Sequence, residues 1–454
     1  MTATIAARHG LRDLLGTARA GGPRLAIVLI AAALAAGLGL ASAEFGAPAL
    51  IGAVVILLLG VATVDLTLIP MFAMPMSIVQ ARAGGVLTYA DVILAVGSVV
   101  GLFILRNKGA AAMQPLIWGG VVYLAVIIPT LILNPFSADF IEWAHELFMV
   151  IGSMVIGFVI GREGRAPLAF GLYVVACGVL GVIAGIMALQ HFFSAGEFEP
   201  VYVNAELGFG KNQVGGECAV ALVIAYARPK WLRFPTWFAN LMVLTSAIGL
   251  FASQARQGMI GALIGVAIVT LRPIARGGRR RKWIWLAAIP VVYLVWTQSA
   301  AQLASDNKFN SAYQRLSWYS ESIEVWQKSP IFGVGLRWWY TNVFTDQFQP
   351  PNAELEVLSC VGVVGLIGFF VMFIVAMWFL LRLDPVYGTL GAAAVMTRFT
   401  QTQLDLYWVS GLSSLLWIVA AAGVGVMVRD RLRAAAGPSP LPEPIRLPIR
   451  KLAR

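Results

Sequence analysis

Charge is what this sequence has least of. Asp, Glu, Lys and Arg together make up 12% of its 454 residues, where soluble domains carry roughly 25%. Hydrophobic residues make up 59%, and the mean hydropathy is +0.80. This excludes a soluble globular protein and leaves a polytopic membrane protein. Cysteine is scarce too: Cys177, Cys218 and Cys360 all lie in apolar runs. They form no disulfide framework or thiolate metal site, and read as small core hydrophobes. The histidines, His9, His145 and His191, are dispersed, which argues against a zinc centre. No metal and no cofactor is expected. The internal repeat of inverted-repeat transporters is also missing.

What the chain has in abundance is apolar runs near the length a bilayer demands, about 20 residues with a range of about 17–25. Candidate spans are 25–43, 48–64, 66–80, 87–105, 114–133, 140–161, 167–191, 213–227, 235–252, 256–271, 283–298, 353–381, 388–402 and 406–428. The second and third are short, meet at Asp65 and carry Pro70 and Pro75. They form either two crossings or one irregular hairpin, which makes the total fourteen or twelve. The fold class expected is therefore all-α, a polytopic membrane helix bundle of 12–14 helices. Its parts are a basic cytoplasmic N-terminus (1–24), a first bundle segment (25–298), a large extracytoplasmic loop (299–352), a last bundle segment (353–428) and a basic Pro-rich cytoplasmic tail (429–454). The Ala41-Ser-Ala43 triplet mimics a cleavage site, but the apolar run before it exceeds a signal peptide's usual one, so the first helix is read as retained.

The net charge of +11 invites a nucleic-acid reading. Placement decides against it. With the N-terminus inside, 25 of the 33 basic residues fall on the inner face, as the positive-inside rule requires. The outer face keeps Arg82, Lys211, Arg256, Lys308, Arg315, Lys328, Arg337 and Arg398, and holds sixteen of the 22 carboxylates. The excess charge is thus topology, with anionic-lipid contact in addition. A few cations on an acidic face need a separate reason.

Arg256 opens the helix that runs to Leu271, with Ser253 as the expected N-cap. A cation there opposes the helix dipole, whereas a bound phosphate would be welcome. It reads either as a fork on a diphosphate or as a snorkelling, acid-paired arginine. Arg315 stands on an amphipathic helix, with a capping box at Ser311 and Gln314 and an end set by Pro330. Leu316, Tyr319, Ile323 and Trp326 form its apolar stripe, which would rest on the bundle and turn Arg315 inward. Ile331-Phe-Gly-Val-Gly335 alternates two glycines, as in a tight loop approaching another backbone. Trp338-Trp339 suits a membrane-interface belt or a sugar-stacking wall. Asn352 is the expected N-cap of the next span, with Glu354 and Glu356 in its first turn, as caps or as a base toward a sugar hydroxyl. Gly362, Gly365 and Gly368 allow close helix packing. Lys211-Asn212 begins another helix on the outer side, with Glu217 as a possible partner for the lysine.

Taken in order, Gly210-Lys-Asn212, Ser253-Gln-Ala-Arg256-Gln-Gly258, Arg315 with Trp318, Pro330-Ile-Phe-Gly-Val-Gly335, Asn352 and Gly362-Val-Val-Gly365 resemble the O-antigen ligase and O-antigen polymerase superfamily. The resemblance implies a bacterial inner-membrane glycosyltransferase with both termini cytoplasmic. It would work on the extracytoplasmic side without a metal, moving a glycan from undecaprenyl diphosphate to an acceptor hydroxyl. It makes Arg256 and Arg315 the diphosphate grip, with Lys211, Asn212, Arg337 and Asn352 as substrate-binding residues. Its partners would be the lipid-linked glycan, the acceptor, membrane lipids and envelope polysaccharide assembly proteins. One departure stands out. Ligases place a histidine directly before this asparagine, and here Pro351 occupies that position. This favours a polymerase or a divergent relative, and leaves Glu354, Asp346 or no protein group as base. The competing readings are a transporter or flippase, for which Asp65 beside the Pro-broken 66–80 segment is the comparable feature, and a non-catalytic scaffold of envelope assembly.

Overall fold

The structure is a computed structural model. It describes residues 65–272 and 311–436, with gaps at 85–86, 106–108, 205–207, 342, 345–347, 407 and 409–410, and scattered positions in 30–63 and 288–300. The expectations for the N-terminal segment, Lys308, Asp346 and the Pro-rich tail lie outside the described residues.

The chain is an all-α membrane bundle. Among the described residues the helices are α1 (Leu68–Met76), α2 (Tyr89–Ile104), α3 (Gln114–Leu133), α4 (Ser137–Arg162), α5 (Ala166–Ala195), α6 (Lys211–Ala227), α7 (Thr236–Ser253), α8 (Arg256–Leu271), α9 (Ser311–Gln327), α10 (Ala353–Arg382), α11 (Pro385–Thr402) and α12 (Leu412–Ala435). Six of them, α3, α4, α5, α7, α10 and α12, are long and apolar enough to cross a membrane. A ribbon of β1 (Arg82–Gly84) and β2 (Leu87–Thr88) leads into α2. There Thr88 and Asp91 form a reciprocal capping box. A π-turn at Phe148–Gly152 interrupts α4.

Small residues decide which helices touch. Without a hydrophobic force between helices in lipid, close backbone approach supplies the attraction. Gly258 of α8 lies against the Gly215 carbonyl of α6, and Gly261 of α8 against Thr397 of α11. This trio brings three helix ends together: Lys211-Asn212, Arg256-Gln257 and the residues after Thr402. In the same way Gly157 and Gly161 seat α4 on α12.

The segment around α1 runs from one side of the bundle to the other. Asp65, at its start, is paired with Arg165, in the turn between α4 and α5. At its far end the Ile78 carbonyl accepts from Gln213 Nε2 (2.9 Å), next to Asn212. The Arg165 side is also where arginines close helix C-termini. Arg162 Nη2 donates to Ile104 O (2.8 Å) at the end of α2, and Arg272 Nη1 to Leu380 O (2.9 Å) near the end of α10. Both cations meet carbonyls left open by the helix geometry.

The most unusual element is α10. Gly362 has φ +73°, so it breaks the helix instead of packing it as expected, and the ladder opens. The loop 330–335 fills the opening. Val334 N donates to Ser359 O (3.1 Å) and Gly335 N to Cys360 O (3.1 Å). In return Val363 N donates to Pro330 O (2.9 Å) and Val364 N to Ile331 O (3.3 Å). Gly333 is the loop's counterpart. Its φ is +72°, and an added Cβ would run into the Cys360 carbonyl. The close approach expected of the alternating glycines is thus an approach to a broken helix. Gly368 does pack between helices, against Val126 and Tyr123 of α3.

Two surface expectations are overturned here. Trp338 is 0% exposed and Trp339 8%, so they are neither belt nor sugar wall. Trp338 packs edge-on to Phe344 and Phe348, and the loop folds inward because it must reach α10. On α9 the buried residues are Ser322 and Val325, with Arg315 and Trp318 partly buried. Leu316 (55% exposed) and Ile323 (39%) face outward. Tyr319 and Trp326 of the stripe stay partly buried, but the helix is turned so that Trp318 stacks on Phe348 at 6.0 Å. Arg315 still turns inward, one turn from Trp318.

Candidate active site

Three of the residues singled out from sequence, Lys211, Asn212 and Arg315, gather at one carboxylate that was not, and Arg256 lies within electrostatic reach of Arg315. Asp405 follows α11 in a short polar interruption, Thr400-Gln-Thr-Gln-Leu-Asp405, before α12. Its Oδ2 lies 3.5 Å from Arg315 Nη2. It also accepts from Asn212 Nδ2 and, at 3.1 Å, from Gln257 Nε2. Its Oδ1 is held by the Leu406 N–H (2.8 Å). Lys211 lies within electrostatic reach of Asp405, and the Arg315 charge reaches and repels that of Arg256. Two guanidinium groups far apart in sequence therefore share one neighbourhood, with the N-termini of α6 and α8 opening onto it. Helix N-termini favour anions.

The second wall comes from α10. Asn352 caps it, accepting from Leu355 N (2.9 Å), and its Nδ2 donates to Gln403 O (2.8 Å). Gln403 Nε2 in turn donates to Glu354 Oε1. Glu354 Oε2 is buried with no hydrogen-bond partner among the described residues. Tyr319 of α9 closes the group, since the charges of Arg315, Asp405 and Glu354 all reach its hydroxyl. Burial pushes the Tyr319 hydroxyl up. Burial also pushes the Asp405 carboxyl up, against the pull of Arg315 and Lys211 beside it.

Arg337 is not part of this group. It pairs with Glu142, while its backbone N–H donates to Asp139 Oδ1 (3.2 Å). Asp91, Glu142 and His145 gather there, His145 standing 2.7 Å from Asp91 and 3.1 Å from Glu142, and Glu146 and Glu356 lie near by. The 330–335 loop carries Arg337 inward with it. The two first-turn carboxylates of α10 are thereby divided, Glu354 facing Gln403 and Glu356 accepting from Gln349 Nε2 (3.0 Å).

Three local expectations change. Ala255, not Ser253, precedes α8 as its cap position, and Ser253 Oγ donates to Leu250 O instead (3.0 Å). Ser311 is already helical. Glu217 pairs with Arg398 at 2.8 Å, both essentially unexposed, so it is not Lys211's partner, and Arg398 does not belong to the outer surface. Asp65, the feature a transporter would use, is closed by Arg165 and by Thr67 Oγ1 (2.6 Å).

Sequence reading missed Asp405, Gln257, Gln403 and Tyr319. The signal for three of them was present. Gln403 and Asp405 sit in the one polar step between two apolar spans, and Gln257 follows Arg256 directly.

Residues 241–370 match a family model described as O-antigen ligase. The match supports placing the chain in the O-antigen ligase/polymerase superfamily and an O-antigen ligase-type function in general. It includes Arg256, Arg315, Asn352 and Glu354, and leaves Lys211, Asn212 and Asp405 outside. No curated protein matches the chain.

Proposed function

We propose that this protein is an extracytoplasmic glycosyltransferase that moves a glycan from an undecaprenyl diphosphate carrier to a sugar hydroxyl. The observation that carries the reading is Arg315, Lys211 and Asn212 gathered around one carboxylate on a membrane bundle, with Arg256 within electrostatic reach of Arg315. Like charges held together invite an anion of more than one charge, and a diphosphate is such an anion. The acceptor oxygen attacks the anomeric carbon as the bond from that carbon to the diphosphate oxygen breaks. Configuration inverts, and the carrier leaves as prenyl diphosphate. The guanidinium groups stabilise the charge gathering on the departing phosphate, a task that needs no metal. Glu354, whose Oε2 has no hydrogen-bond partner among the described residues and whose charge reaches Tyr319, takes the acceptor proton, which fits a chain with Pro351 where ligases carry histidine. Asn352 and Gln403 hold Glu354 in place. The site would open on the outer face of the bacterial inner membrane, with both termini in the cytoplasm.

Losing one such donor costs on the order of 100–1,000-fold in rate. Arg256→Ala and Arg315→Ala are therefore each expected to lower transfer from an undecaprenyl-diphosphate-linked glycan in proteoliposomes by at least about 100-fold, with membrane insertion unchanged. Lysine at either position restores little, because an ammonium lacks the planar fork. Near wild-type transfer by both alanine variants contradicts the assignment.

A further inference from the structure

An acid at the centre of an anion site needs an explanation. Asp405 carries one negative charge to the spot where a diphosphate would bind, and three of its neighbours, Arg315, Asn212 and Gln257, aim their donors at a single one of its oxygens. It is 12% exposed in its side chain, so solvent screens it weakly. Any anion entering the site meets that charge. A carboxylate there lowers affinity for every phosphate ligand, and lowers it most for the ligand with the most negative charge.

The two ligands of the proposed reaction differ in that respect. The donor is a diphosphate esterified at both ends, with one ionised oxygen on each phosphorus. After transfer, the bond between the anomeric carbon and its phosphate oxygen is gone and the sugar has left on the acceptor oxygen. The terminal phosphate is now a monoester with a second ionisation near a pKa of about 6. At neutral pH the leaving group is thus more negative than the donor, and the proton removed from the acceptor has gone to Glu354.

We infer that Asp405 is a selectivity residue that discriminates against the leaving group, holding the diphosphate donors in place in the empty site and disfavouring retention of prenyl diphosphate once the glycan has departed. The inference rests on the proposed diphosphate reading and adds a direction to it: the site prefers the doubly esterified ligand. Its neighbours allow the role. Arg315 and Lys211 stand beside the carboxylate and oppose the effect of its burial. Asn212 and Gln257 are amides able to turn from the carboxylate to a phosphate oxygen, since an amide nitrogen donates to either.

The test compares two ligands on purified protein in nanodiscs: undecaprenyl diphosphate, and undecaprenyl diphosphate carrying a single sugar. One unit charge at several ångströms in a partly buried setting changes affinity by about tenfold. Asp405→Asn is expected to tighten undecaprenyl diphosphate about tenfold more than it tightens the sugar-bearing ligand, and to slow multiple turnover by product retention. Asp405→Glu, which restores the charge, is expected to return the ratio of the two affinities toward wild type. A purely structural hub gives a different result, with both ligands weakened alike by Asp405→Asn and rescued alike by Asp405→Glu. That outcome, or an unchanged ratio, overturns the inference. Should Asp405→Asn fail to fold, the ratio is read in Asp405→Glu and in wild type, where the sugar-bearing ligand must bind at least as tightly as the bare one. If wild type binds neither ligand, the diphosphate reading itself is wrong and the two failures are told apart.

Discussion

Asp405 enters the folded protein with a pKa above its ordinary value because it is buried, although Arg315 and Lys211 oppose the shift. Folding therefore favours its uncharged form. Its contribution to stability is complete below the unfolded value of about 3.9 and is lost as pH rises through the folded value. At neutral pH the wild type carries a penalty that Asp405→Asn lacks. The difference in Tm between the two proteins is expected to narrow as pH falls from about 7 toward about 4. Tyr319, whose hydroxyl burial pushes up, stays neutral through this range. A Tm difference that does not change with pH would show that the charge of Asp405 is not what folding resists.

Among the elements, α10 and the 330–335 loop form one unit that neither sequence stretch makes alone. Gly362 holds φ +73°, and an added Cβ would strike the Ile331 carbonyl. Gly362→Ala therefore combines backbone strain of roughly 1–3 kcal/mol with loss of the loop's seat. It is expected to lower stability by at least that amount in detergent denaturation, and to reduce transfer because α9 and Arg315 precede the loop directly. Gly210→Ala, whose Cβ meets nothing within 4 Å, is the comparison and is expected to be near wild type in stability. Asn352 as cap and the start of α8 at Arg256 were legible in the sequence, because capping and hydrophobic run length are local. The true face of α9 was not. Leu316 and Ile323 satisfy the periodicity, yet Trp318 finds Phe348, thirty residues away, and that contact turns the helix. Trp338 looked like an interface residue for the same reason, since its burial depends on a helix break that Gly362 shows only once its φ is known. Asp405 carries a local mark, the polar step between α11 and α12, but nothing local says what it meets. Only the glycine contacts between α6, α8 and α11 bring Asn212 and Gln257 to it.

For the whole molecule, α6 and α11 are also joined to each other, and to α5, below the site. Arg398 of α11 and Glu217 of α6 form a buried pair, Tyr173 of α5 donates to Glu217 Oε2 (2.5 Å), and Gln401 accepts from Arg398 Nη1 (2.9 Å). Removing one partner of such a pair leaves the other uncompensated, at a cost of roughly 3–5 kcal/mol. Arg398→Met and Glu217→Met are each expected to destabilise the detergent-purified protein by about that much, and the double variant by less than the sum. Additive losses would mean that the two residues do not depend on each other. The pairing of 330–335 with α10 has a consequence of a different kind. The carbonyls of Ser359 and Cys360 and the N–H groups of Val363 and Val364 have no partners inside their own helix, and hydrocarbon offers none. The ribosome delivers the loop before it delivers α10, so the nascent helix emerges with its complement already made. The two can settle into lipid only as a joint passenger.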